Sequence, residues 1–127
     1  MKTYIGCGKK KSSIARIFFK IKKNKIKINN LNINEYFNKK LNYKLIFDPI
    51  KLTNSKNLDI KVNVKGGGKC SQIMAIRNGL ALALLNYSKK YKKILSDNKL
   101  LTRDSRIVER KKIGKVKSRK SKQFSKR

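Results

Sequence analysis

Residues 58–76 read LDIKVNVKGGGKCSQIMAI, and the spacing of the apolar side chains changes within them. Up to Val64 apolar and polar residues alternate strictly, which predicts a strand with one buried and one solvent-facing side. After the three glycines the apolar residues follow helical spacing, at Ile73, Ile76, Leu80, Leu84 and Tyr87. The segment therefore predicts a strand that turns sharply into a long helix.

Three strands are predicted upstream of this unit. Residues 4–8 lead through three lysines into residues 12–21, where Ala15, Ile17, Phe19 and Ile21 alternate with other residues. Residues 22–25 predict a tight turn, with Asn24 in a left-handed conformation, before the short strand 26–28. The strands at residues 12–21 and 26–28 are therefore expected to form a hairpin.

Asn34 and Glu35 predict the start of a helix, since Asn is a good cap and an acid is favoured in the first turn. Leu41 and Leu45 continue a weak helical spacing, and Pro49 ends or restarts it.

Residues 50–57 show no pattern that assigns a structure. Residues 89–95 predict a short basic helix that ends at Asp97 and Asn98, with Asn98 as the left-handed terminator.

Together these elements predict an α+β fold, a small mixed β-sheet packed with helices on one face. Residues 1–101 are expected to form the globular domain, and residues 102–127 a long extended basic C-terminal arm.

The charge of the chain indicates its partner. Of 127 residues, 36 are Lys or Arg and 6 are Asp or Glu, a formal net charge of +30. Many of these cations must lie within the roughly 8 Å screening length of physiological salt, so a polyanion would relieve their repulsion. No stretch approaches the roughly 20 apolar residues of a membrane span, and the first residues do not begin a signal peptide. Nucleic acid is therefore expected, and a membrane is not.

The residue types needed for catalysis are scarce. The chain has no histidine, and its six acids are scattered. Cys7 and Cys70 belong to no metal-binding motif and are expected to be reduced, partly buried small residues. The sequence predicts a protein that is not an enzyme and carries no metal or cofactor.

The glycine turn, Gly66, Gly67 and Gly68, follows a strand and opens a helix, as phosphate-binding loops do. P-loop spacing fails, because Asn63 and Cys70 stand where Gly and Ser or Thr are needed. A tight turn explains the glycines equally well. However, Lys65 and Lys69 flank the helix N-terminus, where cations are unfavourable, so we expect an RNA phosphate to dock there.

A basic rim is predicted at the first turn, where Lys9, Lys10 and Lys11 precede Arg16 on the next strand. These lysines could simply be solvated. Arg16 favours phosphate binding, since a guanidinium can bind phosphate with two hydrogen bonds.

The arm is the strongest candidate for RNA binding. It has two acids, Asp104 and Glu109, against twelve cations, a net side-chain charge of 12 − 2 = +10. Its few apolar residues cannot offset the entropy of ordering, so the arm is expected to order only on RNA. The cations are Arg103, Arg106, Arg110, Lys111, Lys112, Lys115, Lys117, Arg119, Lys120, Lys122, Lys126 and Arg127.

Four blocks of sequence resemble the bacterial-type small-ribosomal-subunit protein nine family. They are YIG (4–6) with GKKKSS (8–13) and AR (15–16); VNVKGGG (62–68) with Gln72, AIR (75–77) and Gly79; LTRDSR (101–106) with VERKK (108–112); and QFSKR (123–127). Cys7, Cys70, Asn78 and Lys122 depart from the residues usual in that family, as does the absence of glycine from residues 22–25.

The resemblance implies a structural protein in the head of the small subunit, bound to small-subunit ribosomal RNA and neighbouring ribosomal proteins. It also implies that the arm reaches the peptidyl-site tRNA, with Ser125, Lys126 and Arg127 at the anticodon stem-loop. The abundance of Lys, Asn and Ile indicates a ribosome of an A+T-rich bacterium or of a plastid-like organelle. Charge alone would also fit a general nucleic-acid-compacting protein or RNA chaperone.

Overall fold

The computed structural model describes residues 2–37, 43–103, 106–107, 109–121 and 123. Five strands form one mixed sheet in the order β1-β2-β5-β3-β4, which confirms the predicted α+β class. The strands are β1 (Tyr4–Lys10), β2 (Ser13–Ile21), β3 (Lys25–Ile28), β4 (Leu31–Asn32) and β5 (Leu58–Lys65). The α-helices are α1 (Ile33–Tyr36), α2 (Asp48–Thr53), α3 (Lys69–Tyr87) and α4 (Lys92–Asp97), and Tyr43–Phe47 and Lys89–Tyr91 form 3-10 helices.

The strand-to-helix unit at the centre of the sequence is confirmed. Leu58, Ile60, Val62 and Val64 are buried, and the residues between them face outward or are half-buried. Helix α3 begins immediately after the three glycines and lies against β1 and β2. Four of its predicted apolar positions are buried, whereas Tyr87, in the last turn, is partly exposed.

The predicted hairpin between β2 and the strand at residues 26–28 is wrong. Strand β5 lies between them, antiparallel to β2 and parallel to β3. The connection crosses the start of β5, where Lys22 N donates to Asn57 O at 2.8 Å and Leu58 N donates to Asn24 Oδ1 at 3.1 Å. Asn24 is therefore held by its side chain and is not left-handed; Asn29 and Asn30 are, with φ of 50° and 68°.

The region around the first helix differs in detail from the prediction. Helix α1 begins at Ile33 after Asn32, and Glu35 lies in its first turn as expected. Asn34 does not cap the helix, because it lies inside it and accepts a hydrogen bond from the Tyr43 hydroxyl at 2.5 Å. Leu41, which was predicted to continue the helical spacing, lies outside the described residues.

Pro49 restarts the helical structure, since it is the second residue of α2. The unassigned residues 50–57 form the rest of α2 and a turn in which Asn54 and Asn57 are left-handed. At the other end of the domain, α4 ends at Asp97 as predicted, but Lys99, with φ of 58°, is left-handed in place of Asn98.

Helix α3 covers one face of the sheet and forms the core with it. Ala15, Ile17 and Phe19 are completely buried beneath it, whereas Ile21, at the end of β2, is 45% exposed. The helix approaches β1 so closely that a Cβ atom added at Gly8 would overlap the carbonyl oxygen of Ala75. Glycine in β1 therefore sets the distance between the sheet and the helix.

Both cysteines are exposed, so the prediction that they are partly buried is wrong. Cys7 lies between the buried Gly6 and Gly8, and its side chain therefore points to the opposite face of β1. Cys70 lies in the first turn of α3, among exposed residues. None of the helices in the described part of the chain is long and apolar enough to cross a membrane.

Candidate nucleic-acid interface

The glycine turn is fixed by the strand beside it. Gly66 and Gly67 have φ of 80° and 64°, which L side chains rarely adopt. The carbonyl oxygen of Gly66 accepts hydrogen bonds from Ser13 Oγ and Gln72 Nε2, both at 3.0 Å. These two glycines are therefore required by the turn itself.

Gly68 is different, because a Cβ atom added there would meet nothing within 4 Å. It precedes the first residue of α3, whose first turn has neither a side-chain cap nor an acid. The first N–H groups of this 19-residue helix therefore have no side-chain cap, which suits an anion.

Lys69 has a partner that the sequence did not indicate. Its Nζ lies 3.5 Å from the centroid of the Tyr36 ring. The Tyr36 hydroxyl in turn donates to Gln72 Oε1 at 2.8 Å, which positions the ring. A cation–π contact thus holds the Lys69 ammonium group beside the helix N-terminus.

The structure brings together part of the predicted rim. Lys9, Arg16 and Lys65 are exposed on the same face of neighbouring strands, where Lys9 and Lys65 both lie opposite Ile14. Alternation along β1 gives the side chain of Lys10 the opposite orientation to that of Lys9, although both residues line a cavity of about 250 Å³ with Arg77 and others. Lys9 and Lys10 belong to β1, so only Lys11 lies in the turn, with φ of 51°.

The root of the arm, which we define as residues 100–103 where the domain passes into the arm, is attached to the rest of the domain at two points. Asn78, which is buried in α3, donates through Nδ2 to the carbonyl oxygen of Leu100 at 2.9 Å. Arg103 Nη2 donates to the carbonyl oxygen of Cys7 at 2.6 Å. The arm therefore leaves the domain beside β1, where Arg103 covers a backbone acceptor on the edge of the sheet.

Beyond its root, the described part of the arm makes mainly local contacts. Glu109 accepts hydrogen bonds from Lys112 Nζ at 2.8 Å and Arg119 Nε at 2.9 Å. Gly114, with φ of 81°, forms a turn, and Lys115 and Ser121 form an isolated bridge. Ion pairs this exposed contribute little to stability, so phosphates could replace Glu109 as a partner.

The apolar residues described in the arm bury little surface. Ile113 is 98% exposed, and Ile107 and Val116 are about half exposed. That the arm becomes ordered only on RNA stays a prediction. Lys122, Ser125, Lys126 and Arg127 lie outside the described residues.

Sequence reasoning missed five candidate RNA-binding residues on the face of the sheet opposite α3. Their alternation with core residues was the feature of the sequence that could have identified them. They are Phe18, Lys20, Lys25, Lys27 and Lys61. It also missed Arg77 and Lys99, which line the same small cavity as Lys10. Within the described residues, His, Cys, Asp and Glu form no group that could hold a metal ion.

Exposed cations lie on the rim, beside the glycine turn and along the described part of the arm, a distribution typical of proteins that bind a polyanion. The family model described as ribosomal protein S9/S16 matches residues 8–127, and the chain belongs to this family. It is therefore a structural protein of the small ribosomal subunit that binds ribosomal RNA and serves translation. The family is a structural class and not a class of enzymes.

Proposed function

We propose that the chain lies in the head of the small subunit and binds its RNA through the rim, the glycine turn and the arm. The observation that carries this proposal is the arm, with twelve cations and two acids, attached by its root to α3 and to the edge of the sheet. An arm of this kind can follow phosphates into places that a globular face cannot reach. Its arginines act as two-pronged phosphate clamps, and its lysines act as point charges.

Specificity comes chiefly from the shape of the RNA and from the assembled subunit, because contacts to phosphate carry no sequence information. Neighbouring ribosomal proteins of the head complete the surroundings of the domain. The abundance of Lys, Asn and Ile supports an A+T-rich genome, of a bacterium or of a plastid-like organelle.

At the glycine turn, an RNA phosphate binds the N–H groups of α3, with Lys65 and Lys69 beside it. The open space at Gly68 and the absence of an acid from the first turn support this site. The Tyr36 ring keeps the Lys69 ammonium group close to the helix N-terminus, so that it can contact the same phosphate.

Changing Lys69 to Glu tests this site. An acid in the first helical turn is favoured by the helix dipole and offsets the loss of the contact with Tyr36, and circular dichroism would confirm that the variant folds. We expect weaker binding to small-subunit RNA at low salt. The slope of the logarithm of the binding constant against the logarithm of salt concentration should be shallower by about 1, which corresponds to one phosphate contact. The control is Lys93→Glu, an equal charge change at an exposed position in α4. Equal affinities of Lys69→Glu and the control would contradict the site.

The tip of the arm, Ser125, Lys126 and Arg127, contacts the backbone of the peptidyl-site tRNA. Support comes from membership of the family and from the two terminal cations.

Deleting residues 125–127 should spare assembly and weaken tRNA retention in the peptidyl site by roughly tenfold, because a hydrogen bond to a charged group contributes about 1.5–3 kcal/mol. Dissociation of tRNA from purified subunits measures the effect. The control exchanges the two cations, Lys126→Arg with Arg127→Lys, and keeps the charge. Unchanged retention after the deletion would defeat the role assigned to the tip.

A further inference from the structure

The face of the sheet that α3 leaves uncovered is strongly basic. We call it the outer face and define it by the residues that point away from the core. Of those described, five carry the inference: Phe18, Lys20, Lys25, Lys27 and Lys61. All but Phe18 are exposed, and Phe18 is half-buried. No helix in the described part of the chain covers these side chains.

Strand register places cations next to one another on this face. Lys27 lies directly opposite Lys61, and Lys61 lies opposite Phe18. Like charges in directly opposed positions destabilise a sheet. In the adjacent row Lys25 and Lys20 lie on either side of Asp59. The repulsion between Lys27 and Lys61 would be relieved by a bound anion.

A depression of about 520 Å³ lies on the outer face. Phe18 forms part of its lining together with Lys20, Lys25, Lys27 and Lys61, and Asp59 is the sole acid among the described residues that line it. An aromatic ring among cations is the arrangement by which proteins bind single-stranded nucleic acid, since a base stacks on the ring while ammonium groups contact the backbone.

We propose that the outer face binds a single-stranded segment of small-subunit RNA, with one base stacked on Phe18 and the flanking phosphates bound by Lys20, Lys25, Lys27 and Lys61. This inference rests on the proposed function and adds a surface separate from the glycine turn and the arm. A duplex would not fit, because its bases are paired and stacked on one another and cannot reach the ring.

The absence of tryptophan from the chain provides a direct probe. In Phe18→Trp the only indole lies at the stacking position, and its fluorescence can be excited selectively. We expect a short unpaired RNA, such as oligouridine or oligoadenosine, to quench this fluorescence, and a blunt duplex of equal charge to leave it unchanged. Equal quenching by both RNAs, or by neither, would overturn the proposal.

A second variant, Phe18→Leu, keeps an apolar side chain at this position and removes the ring. Its affinity for the unpaired RNA should fall at least about fivefold, and its affinity for the duplex should stay unchanged. Circular dichroism would confirm that both variants fold. If wild-type protein binds small-subunit RNA and Phe18→Leu binds the unpaired oligonucleotide equally well, the outer face is not the site. If wild-type protein does not bind small-subunit RNA, the proposed function itself fails.

Discussion

Neutralising the arm should reduce affinity for small-subunit RNA by on the order of a thousandfold at moderate salt. The variant replaces nine described cations with Gln: Arg103, Arg106, Arg110, Lys111, Lys112, Lys115, Lys117, Arg119 and Lys120. All but Lys115 are exposed, so the fold does not depend on their burial. Each phosphate contact releases counterions, and the reductions in affinity caused by losing several contacts therefore multiply.

Affinity measured over a range of salt concentrations separates this effect from a general loss of charge. For the wild type, the logarithm of the binding constant should fall steeply with the logarithm of salt concentration, and for the Gln variant the slope should be much shallower. A charge-matched control changes the four arginines to Lys, which keeps the slope and lowers affinity moderately because two-pronged contacts are lost. Equal slopes for the wild type and the Gln variant would show that the arm does not lie along phosphates.

Changing Gly8 to Ala should lower the free energy of unfolding by about 3 kcal/mol or more, since a Cβ atom would overlap the backbone of α3 at Ala75 and Gly79. Backbone atoms cannot move aside as the end of a flexible side chain can. Helix α3 would have to shift away from β1, which opens the packing around Ile17 and Phe19.

Thermal and denaturant unfolding measure this loss. The control is Gly68→Ser, where the added Cβ atom meets open space and the hydroxyl can cap α3, so stability should be unchanged or slightly higher. If Gly8→Ala is as stable as the wild type, the close approach of β1 and α3 does not limit the fold.

Local sequence patterns predicted individual elements well and their arrangement less well. Strand β5 and helix α3 were identifiable because each has a clear period and glycines separate them. The order of the strands was not, because period two shows which side chains are buried and not which strands are neighbours. The connection at residues 22–24 passes the start of β5 instead of closing a hairpin.

The candidate site shows the same limit. Lys9 and Arg16 were expected on one rim, and the register of β1 and β2 places them on one face. Lys10 was assigned to the same rim, but alternation along β1 turns its side chain to the other face of the strand. The proximity of Lys27 and Lys61 could not be inferred, because it depends on β3 lying beside β5. Cys7 was expected to be partly buried, although its neighbours Gly6 and Gly8 occupy the buried positions.

Sequence patterns also could not predict which polar side chains contact one another across the fold. Asn78 falls on the buried side of α3, where its amide binds the Leu100 carbonyl and fixes the root of the arm. Tyr36 supports Lys69 from a different element, across a separation of more than thirty residues. Such contacts follow from tertiary packing and not from spacing along one helix.

The most direct measurement is the amount of this chain on purified small ribosomal subunits after sucrose-gradient sedimentation at moderate salt. A structural protein held by its arm and domain should be present at one copy per subunit after the wash, and the arm-neutralised variant should be depleted. Recovery of the wild-type chain mainly with DNA, or in amounts unrelated to the number of small subunits, would contradict the account.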